Sequence, residues 1–152
     1  MTIQQIAYGI RDDLRNNITD PIQRKTQGGG EWIHFDRIND VGKTPEIFIQ
    51  IPPSPRHDDY TGGGKEHFYQ FLVHLVMSEG DRGISPSGDS QVIITNDDEL
   101  TGAIIDKVIN RLEVARLSIS GAHTVNMLSY DGDYNLTSTK KVYTIRYEAH
   151  KK

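Results

Sequence analysis

Between Glu66 and Ser78 the chain carries the pattern that most limits its fold: Tyr69, Phe71, Val73, Leu75 and Met77 occupy alternate positions. That period of two is the spacing of a strand laying one face on a core. The intervening positions, Phe68, Gln70, Leu72, His74 and Val76, add three more apolar side chains. A strand that is apolar on both sides needs a covering layer on both sides. Helices can supply one layer, and a second subunit is a candidate for the other. Phe68, Gln70, Leu72, His74 and Val76 are therefore expected at a subunit or partner interface.

The helices are legible in the spacing. Ile3, Ile6, Ala7, Ile10, Leu14 and Ile18 recur at steps of three and four, which predicts an amphipathic helix over about 2–19. Leu100, Ile104, Val108 and Leu112 form a second stripe. Asn96, with Glu99 three places on, has the composition of a capping box, so this helix is predicted over about 97–115. Further strands are predicted at about 31–38, from Trp32, Ile33, Phe35 and Ile38, and at about 46–51, where Ile47, Ile49 and Ile51 alternate. A C-terminal hairpin is expected over about 124–150, turning at Asp131–Asn135. Gly28-Gly29-Gly30, Arg56–Lys65 and Glu79–Ser90 have loop composition. Strands grouped between two helices predict one α+β domain, mainly an antiparallel β-sheet with two principal amphipathic helices packed on it.

At 152 residues the chain can bury a core of its own. It has no cysteine, which removes disulfides, thiolate metal sites and thiol nucleophiles. With 17 basic and 21 acidic residues the net charge is −4, which gives no field for concentrating nucleic acid or anionic lipid. Sequence-specific nucleic-acid binding is not expected, and no signal peptide or membrane span is read from the apolar runs.

Motifs that resemble chemistry lack their essential parts. Gly62-Gly63-Gly64-Lys65 is followed by Glu66 and a strand, whereas a phosphate loop needs Ser or Thr and then a helix N-terminus. Asp131, Asp133 and Asn135 imitate the start of a calcium loop, but Leu136 stands where glycine is required and Val142 where a bidentate Glu is required. None of the six histidines is paired at helical ligand spacing. The His57-Asp58-Asp59 trio has metal-ligating side chains, yet an exposed aspartate-rich loop is ordinarily just solvated. No Gly-x-Ser-x-Gly elbow occurs, and no carboxylate pair declares itself as acid and base. No catalytic residue, cofactor or metal is assigned. Arg56, His57, Asp58, Asp59 and Tyr60 enter instead as a candidate partner-contacting loop.

The order of elements is a helix from Thr2, strands to Ile51, the long strand HFYQFLVHLVMS, the capped helix NDDELTGAIIDKVINRL and a hairpin ending KKVYTIRYEAH. This order resembles the tail terminator and tail-completion proteins of long-tailed viruses. The resemblance covers most of the chain and lies in arrangement rather than in a signature motif. It implies a homo-oligomeric ring, commonly a hexamer, that caps the tail tube and offers a joining surface to the head–tail connector. It also implies a virion protein of the tail or neck, made in the host cytoplasm and without enzymatic activity. Three competing readings are another neck or connector protein, a small enzyme with a site built from His57, Asp58 and Asp59, and a cellular binding module. A bound neighbour, a pocket holding a perturbed acid or base, and the neighbouring genes would respectively separate them.

Overall fold

The computed structural model describes residues 3–35, 38, 43–51, 67–114 and 124–151. The first helix, α1, runs over Ile3–Asn17 and buries Ile6, Ala7, Ile10 and Leu14, the residues its spacing singled out. Each of the isoleucine and leucine side chains taken from water contributes roughly 1.5–3 kcal/mol before the cost of ordering it. Beyond α1, both carboxylate oxygens of Asp20 accept from backbone amides, those of Ile22 (3.1 Å) and Arg24 (2.9 Å). They shape a short 3-10 turn over Arg24–Gln27. The triple glycine, expected as a flexible loop, closes that turn: Gly28 takes a left-handed φ of 81°, and Gly29 N–H donates to the Arg24 carbonyl at 2.7 Å.

Strand β1 is confined to Ile33–Phe35, shorter than the spacing suggested, with Ile38 beyond it. It pairs in parallel with β2, Glu46–Gln50. The long strand β3, His67–Ser78, runs antiparallel to β2. Glu79–Ser90, expected as a loop, contains β4 (Gly83–Ile84), which forms a small two-stranded sheet with β5 (Ile93–Ile94). Its composition is that of a loop because only two residues on each side pair. The second helix, α2, spans Asp97–Val114. Asn96 Oδ1 caps it by accepting from the amides of Asp98 and Glu99 at 2.9 and 3.1 Å.

The final hairpin joins β6, Thr124–Asn135, to β7, Lys140–Lys151. Its turn falls at Leu136–Thr139, not at Asp131–Asn135 as expected. Register breaks between Met127 and Ser129 and between Tyr130 and Asp133 absorb extra residues, so the polar run continues the strand as bulges. Gly132 supplies the positive φ, 57°, at the second break. The real turn is held by Thr137, whose hydroxyl accepts from Lys140 N–H at 3.1 Å.

The main sheet has the order β1-β2-β3-β7-β6 and only the β1–β2 pair is parallel, so the α+β, mainly antiparallel class is the observed one. Both helices lie on the face built by Ile47, Ile49, Phe71, Val73, Leu75, Ile145 and Tyr147. Arg111 on α2 ties them together, gripping Asp13 of α1 through Nε and a terminal nitrogen, each at 2.8 Å.

Candidate partner-contacting surfaces

The second face of the sheet carries the even positions of β3. Register places His74 opposite Phe48 and Thr144, and Val76 opposite Glu46 and Val142. Phe48, Val76 and Val142 make a small second core, with Ile38 packed on it. Beside it His74 is only 6% exposed. Its Nε2 lies 2.9 Å from Gln50 Oε1 and its Nδ1 2.8 Å from the Thr144 hydroxyl. With the Gln50 oxygen as acceptor, Nε2 carries the proton and Nδ1 accepts from Thr144. Desolvation pushes the His74 pKa down to about 4, so the ring is neutral near pH 7. At the start of β2, Glu46 is buried with Oε2 3.4 Å from His34 Nε2.

These positions correct part of the expectation drawn from β3. Val76 and His74 are buried within a single chain, so neither needs a second subunit for shelter. The reason is local: Phe48, Val142 and Ile38 close over the end of the strand where Val76 lies. Gln70 and Leu72 remain half-buried. The Phe68 side chain and Arg56–Tyr60, the other expected contact residues, lie outside the described residues, as do His57, Asp58 and Asp59 of the proposed loop site.

Exposed apolar side chains concentrate on other strands, at positions that residue spacing does not assign to a contact. On β6, an edge strand, Met127 and Leu128 are each 45% exposed and Tyr130 46%. The break at Leu128 leaves that residue without an opposite number on β7. On β5, Ile93 is 65% exposed and Val92 beside it 47%. A signal was present: no Lys, Arg, Asp or Glu occurs between Arg116 and Asp131 in a chain that is 25% charged. Open strand edges are ordinarily guarded by charge. The opposite edge is different in kind, because β1 has three residues and its Ile33 carbonyl accepts from Arg15 Nε at 2.8 Å.

A polar cleft of about 370 Å³ opens between the start of α2 and the ends of β3 and β7, lined by Ser78, Glu79, Asp97, Thr101, Thr139 and Lys141. Its groups serve the fold: Asp97 accepts from Gly80 N–H at 2.8 Å, and the Thr101 hydroxyl donates to the Asp97 carbonyl at 2.8 Å. The residues that imitate a calcium loop lie in the bulged part of β6, where Asp131 is 3.9 Å from Arg146. Among the described residues no three His, Asp or Glu side chains gather as metal ligands would, and no helix is long and apolar enough to cross a membrane. No family model matches the chain, and the search of curated proteins returned no match.

Proposed function

We propose that this chain is a viral assembly protein, a tail terminator whose copies form a ring that caps the tail tube and then presents a joining surface to the head–tail connector. The observation that carries the ring is the β6 edge, twelve residues long, with Met127, Leu128 and Tyr130 exposed along it. Apolar side chains on an open edge invite a partner, and the unlike edge at β1 does not offer the same surface in return. Contacts between unlike surfaces run head to tail, and they close into a ring when the rotation from one copy to the next closes. The tail itself enters through the order of the elements, helix, strands, long strand, capped helix and hairpin, which is the arrangement such proteins share.

On this reading the protein acts through contact alone. It belongs to the virion at the tail–neck junction, with the tail tube protein on one side and the connector on the other. A ring, commonly of six copies in proteins of this kind, matches the symmetry of a tube end and stops its growth by covering the next subunit's docking surface. The test is to add purified protein to tail tubes of the same virus and image them in negative stain. Density at one tube end, with tube growth arrested, is the expected result. Tubes that stay bare while the protein binds the isolated connector would move it to another neck position, and binding to neither would overturn the assignment.

A further inference from the structure

Two exposed apolar patches stand apart in the fold: Val92 and Ile93 on the short β4–β5 arm, and Met127, Leu128 and Tyr130 on the β6 edge. We propose that they are the two halves of one contact, in which the arm of one copy docks on the β6 edge of the next. This inference rests on the ring reading and names the surfaces that build it.

The two patches differ in the charge around them. From Glu79 to Glu99 the arm and the start of α2 carry six carboxylates, Glu79, Asp81, Asp89, Asp97, Asp98 and Glu99, against Arg82 alone. That segment is five charges negative in a chain whose net charge is −4. The β6–β7 hairpin, Thr124–Lys151, is positive by one, with Lys140, Lys141, Arg146 and Lys151 against Asp131, Asp133 and Glu148. Arg146 lies opposite Ser129, between Leu128 and Tyr130, and its side chain is 39% exposed. An apolar tip with an acidic surround therefore meets an apolar stretch of edge in the part of the sheet whose net charge is positive, although β6 itself carries Asp131 and Asp133. Opposite potentials of this kind steer encounter and fix orientation.

The arm is also attached to the rest of the fold. Ile84 N–H donates to the Pro21 carbonyl at 2.9 Å, and Thr19 N–H donates to the Pro86 carbonyl at 3.0 Å. Gly83 lies so close that an added Cβ would sit 2.3 Å from the Pro21 oxygen. The arm is thus fastened at its base to the chain after α1 while Ile93 points into solvent. A pre-ordered arm loses little freedom on docking, which favours association. Each copy has one arm and one edge, so every contact leaves a free arm at one end and a free edge at the other until the ring closes.

The experiment uses the full chain and two variants, Ile93→Asp and Leu128→Asp. Both positions are exposed, so each variant is expected to melt within a few degrees of the wild type by circular dichroism. If Leu128→Asp melts early, Tyr130→Ser takes its place. By native mass spectrometry and sedimentation each variant alone is expected to be monomeric. Their equimolar mixture regains one intact contact and forms a two-chain species and nothing larger. Its dissociation constant should rise about tenfold or more from low to high salt. If either variant assembles as the wild type does, or the mixture stays monomeric, the arm-to-edge contact is wrong while the ring reading stands. A salt-independent constant contradicts the role given to charge. A wild-type chain that is itself monomeric overturns the ring reading as well.

Discussion

His74 shows how one residue sets a pH dependence. Buried between Gln50 and Thr144, it stays neutral until its pKa of about 4, whereas in the unfolded chain it takes a proton near 6.5. The unfolded state therefore binds more protons between those values, and stability rises with pH across the window. The difference amounts to about 3 kcal/mol at its limit, present in full above pH 6.5 and lost by about pH 4. Urea denaturation of the wild type and His74→Gln at pH 7 and pH 4.5 should show the larger acid loss in the wild type. Equal losses would mean that His74 is not sheltered as described. The Asp13–Arg111 grip is the other residue-scale device, joining the two helices through residues 98 positions apart in sequence. Asp13 is buried and Arg111 partly exposed, so the pair is only partly screened. Asp13→Ala should cost about 2 kcal/mol, with Arg111→Ala adding little once Asp13 is gone, and a double-mutant cycle in urea measures that coupling.

At the scale of elements, what could be read from the sequence was whatever has a regular period. The stripes on α1 and α2 and the alternation in β2 and β3 survive almost unchanged, because burial on one face forces the spacing. The Asn96 cap survives because its hydrogen bonds reach only two and three residues along the chain. What failed depends on pairing across the chain. β6 continues through Asp131–Asn135 because bulges let polar residues remain in a strand, and β4 and β5 are too short to show any period. The second face of β3 is apolar as its spacing implies, and at Val76 and His74 the chain itself covers it. The exposed edge on β6 does not show in residue spacing, because exposure is set by strand order; its trace in the sequence is the charge-free run between Arg116 and Asp131. Gly83→Ala tests the anchoring of the arm. The new Cβ meets backbone at Pro21 rather than a side chain that can swing away, so the loss in a thermal melt should exceed about 2 kcal/mol.

Taken whole, the described residues form a five-stranded sheet with helices on one face, a small second core on the other, one short capped edge and one long edge that exposes Met127, Leu128 and Tyr130. A sheet with two unlike edges suits repeated addition of copies in one direction, and the acidic arm gives each copy something to offer the next. On the proposed reading the copies form a ring at a viral tail, and the order of the elements is what supports the tail. Assembly comes before that assignment, since a chain that stays single has no means of closing over a tube. The deciding measurement is the native mass of the purified wild-type chain across a wide range of concentration at low salt. The account predicts one closed species at a fixed multiple of 17.2 kDa, six copies being the expected number, with no continuous series of larger forms. A single chain at the highest concentration reached would contradict it.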